Sequence, residues 1–221
     1  MQQTVPPPRQ RLLLFARLPE LGAVKTRLAN SIGAERALAV YRAMLRDVLR
    51  SIGAATPELE IEVLWAPTAI ANGAALREAF GSHPTAMQTG ATLGDRLAMA
   101  LSERFFFHKT EMIIAIGVDD PLLARETIDH SFGLLDSCDW VVGPATDGGY
   151  YLIGCRAAAF DSSVFLDIEW GTSSVFGTTI ERIAALGSTV AVLPERRDID
   201  VEEDLRAFAG EGELRKLLRE W

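Results

Sequence analysis

The chain has 221 residues, 48% of them apolar and 24% charged, enough to bury a real core within one domain. Thirty acidic residues against 22 basic ones give a net charge of −8, which excludes a surface built to coat nucleic acid. Only Cys138 and Cys155 are present, without metal-ligand spacing, which excludes a disulfide framework or a zinc site.

Residues 1–10 carry three consecutive prolines and read as a flexible leader, with 11–221 as one domain. Leu12–Ala16 reads as a strand, too short for a signal core or a membrane span, so no membrane contact and a cytoplasmic location are expected. Leu38, Tyr41, Leu45, Val48, Leu49 and Ile52 form a helical stripe over 35–53. A second strand is expected at Ile61–Trp65, then a helix over 69–80 against which Gly73 counts. Leu93, Leu97, Leu101 and Phe105 mark another helix, with Phe106 and Phe107 wedged at its end. Met112–Val118 is a continuous apolar run of the kind buried on both faces in parallel sheets. A helix through Ile128, Phe132 and Leu135 follows, then strands at Trp140–Val142 and Tyr150–Gly154. The remainder predicts a helix at Val175–Leu186, a strand at Thr189–Leu193 and a helical tail from Glu202. Leu214, Leu217 and Leu218 give that tail one apolar face, for packing on the body or for a dimer contact, so a monomer or a homodimer is expected.

This alternation predicts an α/β layered fold with a mostly parallel sheet. Ligands of open α/β sheets collect beyond the carboxyl ends of the strands, here the loops after residues 16, 118, 142 and 193. The first of these loops presents Arg17, Gly22, Lys25, Thr26 and Arg27, two or three cations and a hydroxyl suited to phosphate. The same residues also fit a solvated turn. After the strand at 112–118 come Asp119 and Asp120; Asp119 suits a hard cation such as Mg²⁺ or Mn²⁺ completed by substrate phosphate. Alternatively Asp120 caps the turn at Pro121 while Asp119 pairs with an arginine. Asp147, Gly148, Gly149 and Tyr150 form either a ligand-approaching loop or a plain Asp-Gly hairpin turn. Near the C-terminus Asp198 and Asp200 alternate, so both side chains point one way, ahead of a helix start rich in acids. No Ser/His/Asp or Cys/His arrangement supports a covalent nucleophile.

In order along the chain, FARLPELGAVKTRL, GVDDPLL, GPATDGGYYLIG, IEWGTSSV and DIDVEEDL resemble an uncharacterised bacterial family within the GT-A superfamily. That superfamily holds glycosyltransferases and nucleotidyltransferases, among them phospholactate and molybdenum-cofactor guanylyltransferases. The resemblance spans about residues 12–208. It implies a single Rossmann-like GT-A fold, a mostly parallel sheet of about seven strands, one antiparallel, sandwiched by helices. Residue by residue, it implies that Lys25 and Arg27 contact phosphate, that Asp119 and Asp200 hold Mg²⁺ or Mn²⁺, and that two loops face the acceptor. Those loops are Gly148, Gly149 and Tyr150, and Trp170, Gly171 and Thr172; apart from the resemblance, Asp147 suits orienting or deprotonating an acceptor hydroxyl, or simply the turn itself. Asp120 departs from the family pattern and is expected to add charge beside the metal.

The activity expected is a metal-dependent transferase with a nucleotide or nucleotide-sugar donor, an unknown small-molecule acceptor and no nucleic-acid partner. Nucleotidyl transfer from a triphosphate to a small phosphorylated acceptor is favoured over glycosyl transfer, and a catalytically inactive nucleotide-binding or scaffold protein is the third possibility.

Overall fold

The computed structural model describes residues 9–208 and 210–221; residues 1–8, and with them most of the expected leader, lie outside the described residues. Seven strands form one sheet in the order β3-β2-β1-β4-β6-β5-β7. They are β1 (Gln10–Ala16), β2 (Leu59–Trp65), β3 (Thr85–Met87), β4 (Met112–Ile116), β5 (Trp140–Pro144), β6 (Tyr150–Arg156) and β7 (Val190–Val192). All pairings are parallel except those of β6, which runs antiparallel to both β4 and β5. The start of β6 therefore lies at the same edge of the sheet as the ends of β1, β4 and β5.

Among the described residues, eight α-helices flank the sheet: α1 (Thr26–Ile32), α2 (Ala34–Ile52), α3 (Gly73–Phe80), α4 (Leu93–Phe106), α5 (Arg125–Leu134), α6 (Val175–Ala185), α7 (Glu202–Ala207) and α8 (Glu213–Arg219). The strand period of two decides which layer each side chain joins. Leu12, Leu14 and Ala16 of β1 and Met112, Ile114 and Ile116 of β4 enter the core beneath α1, α2 and α5. Leu13, Ile113 and Ala115 enter the other, beneath α4 and α6. Both central strands are buried on both faces, which is why they read as unbroken apolar runs. That second layer also encloses charge: Glu62 of β2 is gripped by Arg104 at 2.7 Å and Arg11 at 3.2 Å. Burial alone would raise the Glu62 carboxyl's pKa, but the two guanidiniums more than offset it and hold it below the usual range.

Several expectations are corrected. The helix expected over 69–80 starts only at Gly73, because the Asn72 side chain accepts from the amides of Ala74 and Ala75 and sets the cap there. The tail is two helices, not one: the first ends at Ala207, and Gly212 at φ +108° precedes the second, where the Asp47 carboxylate accepts from the amides of Glu213 and Leu214 at 2.7 and 2.9 Å. Phe106 and Phe107 are not wedged at the end of α4 but 70% and 82% exposed. With Met87, Met99 and Leu166 they line a hollow of about 600 Å³ on the outer side of α4. Among the described residues, no helix is long and apolar enough to cross a membrane.

Candidate active site

A cleft of about 680 Å³ opens along the carboxyl ends of β1 and β4. Of the residues expected at the site, Arg17, Lys25, Thr26, Arg27, Asp119, Tyr150 and Asp200 line it. Gly22, Asp147, Gly148, Gly149, Trp170, Gly171 and Thr172 do not form its wall.

Its first side is the loop between β1 and α1. Tyr41 of α2 pins that loop: its hydroxyl accepts from the Arg17 amide at 2.8 Å and donates to the Arg17 carbonyl at 3.0 Å. Burial pushes the Tyr41 pKa upward, so the phenol stays a neutral donor. Val24 and Leu28 are buried on either side of Lys25, which caps α1 in the left-handed region at φ 46°, ψ 45°. A side chain bound there pays a backbone cost. The Lys25 ammonium is 2.6 Å from Asp119 Oδ1 and 2.9 Å from Asp200 Oδ1, and it also donates to the Ile199 carbonyl. Its side chain is 4% exposed, against 52% for Asp119 and 35% for Asp200. Burial works against the Lys25 charge, but the two carboxylates outweigh it and raise the pKa. Lys25 thus faces carboxylates, whereas Arg27, 71% exposed, spends one nitrogen on Asp200 Oδ2 at 3.2 Å and keeps the rest of its fork towards the cleft.

Beside the cleft, next to Asp200 in the chain's course, lies a carboxylate that sequence reasoning noted only as alternating with Asp200. Asp198 has one oxygen buried without a hydrogen-bond partner. Its pKa is raised to about 7, first by burial and then by Asp147 and Asp119, with Lys25 opposing and Asp200 adding. Asp147 itself closes an Asx turn by accepting from the Gly149 amide at 2.8 Å. Gly148 in that turn has φ +89°, and a Cβ there would lie 2.3 Å from Ser173 Cα, so the turn is pressed onto the loop before α6. In that loop the Trp170 ring packs edge-on to Tyr150 at 6.1 Å, and its indole nitrogen lies where a Cβ on Gly94 of α4 would be 2.7 Å away. Tyr150 lines the cleft and buries its hydroxyl, which raises its pKa, with Thr179 opposing.

Asp120 is a correction. Its carboxylate is 5% exposed, ion-paired with Arg196, and accepts from the Leu122 amide at 2.9 Å. It caps and anchors the loop and adds no charge to the cleft. Gln88 and Arg96 were not legible as site residues. The Gln88 amide nitrogen donates to the carbonyls of Ala16 and Leu64 at 3.3 and 2.6 Å, which leaves its oxygen as an acceptor in the cleft wall beside Phe15, Ala66, Leu93 and Leu97. A lone glutamine in a loop carries no sequence signal; only its burial marks it.

Among the described residues, no group of three or more His, Cys, Asp or Glu side chains stands ready to hold a metal by itself. The donor set of Asp119 and Asp200, both part-exposed in the cleft wall, instead fits a hard cation that takes its remaining ligands from phosphate and water.

A protein from Desulfovibrio desulfuricans G20, assigned as a nucleotide-diphospho-sugar transferase, is similar in structure over 96% of this chain and 95% of its own, with a TM-score of 0.88 and 28% identity. A CMP:2-keto-3-deoxy-manno-octonic acid synthetase in complex with CTP matches over 96% and 100%, with a TM-score of 0.56 and 10% identity. A manganese complex of Rv0371c from Mycobacterium tuberculosis H37Rv matches over 90% and 97%, with a TM-score of 0.51 and 14% identity. The fold is therefore the Rossmann-like fold of nucleotide-diphospho-sugar transferases and cytidylyltransferases. No curated protein matches the chain. A family model described as an uncharacterized protein conserved in bacteria (DUF2064) matches residues 50–172, more than half of the sequence, and the chain belongs to that family.

Proposed function

We propose that the chain transfers a nucleotidyl group from a nucleoside triphosphate to a small phosphorylated acceptor, assisted by Mg²⁺ or Mn²⁺. The observation that carries this reading is the junction of Lys25, Asp119 and Asp200 at the mouth of a cleft that also presents Arg17, Arg27 and Arg96. A donor's base fits the apolar slot of Phe15, Ala66, Leu93 and Leu97, where the Gln88 oxygen accepts a base N–H. Its phosphates then reach the cations of the β1–α1 loop, with Arg27 offering a planar fork to two oxygens. An acceptor phosphate oxygen attacks the α-phosphorus; the bond to the bridging oxygen breaks and its electron pair leaves with pyrophosphate. A divalent ion held by Asp119, Asp200 and the donor would supply charge neutralisation on that leaving group. The chain contributes position and field rather than a covalent intermediate. Asp147 and Tyr150, on the strand pair β5–β6, face the acceptor side. The CTP complex and the manganese complex among the structural neighbours support a nucleotide donor and a metal.

A nucleotide-sugar donor is the second reading, favoured by the assignment of the relative at 28% identity. In that case an acceptor attacks the sugar C1 and a nucleoside diphosphate departs. Thermal denaturation against nucleoside triphosphates and nucleotide sugars, each with and without Mn²⁺, separates the two. A ligand at a hundred times its dissociation constant stabilises by about 2.7 kcal/mol. A Mn²⁺-dependent shift with a triphosphate supports nucleotidyl transfer, and one with a nucleotide sugar supports glycosyl transfer. No shift with any of them overturns both and leaves a scaffold.

A further inference from the structure

The cation already present between Asp119 and Asp200 is Lys25. Its ammonium contacts one oxygen of each carboxylate at 2.6 and 2.9 Å and is almost wholly buried, while both carboxylates remain partly open to the cleft. Three oxygen acceptors surround it, counting the Ile199 carbonyl. The arrangement is built rather than incidental, because a strained left-handed backbone aims the side chain and buried neighbours on both sides hold it. An ammonium so placed halves the negative charge of the pair and repels any second cation that approaches it.

We propose that Lys25 is the resident cation of the Asp119–Asp200 pair. The chain without nucleotide then holds divalent ions poorly, and donor phosphates open the site by competing for the ammonium. This rests on the nucleotide-donor reading above. Alone, the two carboxylates balance one charge from Lys25 and part of Arg27, leaving too little for a divalent ion. A triphosphate brings several further negative charges to the same place, enough to balance both kinds of cation at once. Metal and nucleotide therefore bind with positive coupling, and linkage makes the coupling equal in both directions. The shortage of protein ligands acts the same way, since no third carboxylate, histidine or cysteine completes a cage among the described residues.

The test is Mn²⁺ binding followed by the electron paramagnetic resonance of the free ion, first with Mn²⁺ alone. Wild type should bind weakly, Lys25→Met at least tenfold more tightly, and Lys25→Arg, which keeps the charge, as weakly as wild type. Equal or weaker binding by Lys25→Met overturns the proposal, as does tight binding by wild type. Melting curves of the variants establish that they are folded. Should Lys25→Met not fold, wild type alone still decides: with the Mn²⁺ chelated by inorganic triphosphate in protein-free solution subtracted, triphosphate should raise the protein's affinity for Mn²⁺ at least tenfold, and an unchanged affinity overturns the idea. Because the Mn²⁺-only comparison needs no nucleotide, its failure is distinguishable from a failure of every nucleotide to shift the melting temperature.

Discussion

Asp119 and Asp120 are adjacent in the loop after β4, yet their side chains part company. One reaches Lys25 in the cleft; the other turns inward to Arg196. Arg196 also lies over the Tyr151 ring at 5.7 Å, so it ties the β4 loop to β6. Replacing Arg196 by Leu strands a buried carboxylate and should cost about 3 kcal/mol, visible as a lower melting temperature. Asp119→Asn should lower the ligand-free melting temperature, because it takes one of two carboxylate partners from the almost wholly buried Lys25 ammonium, while abolishing the Mn²⁺-dependent part of any nucleotide shift. An Mn²⁺-dependent nucleotide shift that survives in Asp119→Asn would contradict its assignment as a metal ligand. The Asp-Asp pair was legible as a place of chemistry because it ends a buried strand. Which aspartate does which task was not, since their partners lie 94 residues upstream and 76 downstream, at Lys25 and Arg196.

Between elements, the edge strand β7 is latched by Asp139 ahead of β5. Its carboxylate accepts from the Thr189 amide and hydroxyl, both at 2.8 Å, and pairs with Arg156 of β6. Those contacts, the Thr189 amide first, hold the Asp139 pKa at about 2 against an ordinary 3.8. A depressed pKa contributes stability above the unfolded value and loses it as pH falls through the folded one. Wild type should therefore lose stability between about pH 4 and pH 2, and Asp139→Asn should flatten that limb of the melting temperature against pH. Gly94, in the first turn of α4, is a second contact between elements. A Cβ there would lie 2.2 Å from the Phe165 carbonyl and 2.7 Å from the Trp170 indole nitrogen. Gly94→Ala should destabilise by about 1–3 kcal/mol in denaturant titration and loosen the Trp170–Tyr150 contact, read as a change in tryptophan fluorescence. At this scale the sequence was readable wherever an element exceeded about two turns or carried a full stripe. The three-residue β3 has no period to detect, and α1 hides behind the Lys-Thr-Arg triplet with Leu28 as its one buried residue.

Across the whole molecule, β1 and β4 send alternate side chains into both layers, so neither layer closes without the other. Trp65 packs against one core and Trp140 is buried in the other. Unfolding in guanidinium should therefore give coincident curves by tryptophan fluorescence and by far-UV circular dichroism. Separated curves would show that the two layers melt independently and that the chain is not one domain. The layered parallel sheet, with its one reversed strand, followed from the α/β alternation and the five ordered motifs. The open apolar face of α4 did not, because in one dimension Phe105, Phe106 and Phe107 form a single run although only Phe105 joins the core.

The reversed strand has a consequence for how such a protein can change. Because β6 runs against its neighbours, the turn at 145–149 is a hairpin between β5 and β6, while the cleft is borne by β1, β4 and the start of β6. Residues can be inserted into or removed from that turn without shifting a single pairing of β1. On the function proposed above, selection, or an engineer, can exchange the second substrate there while inheriting the first.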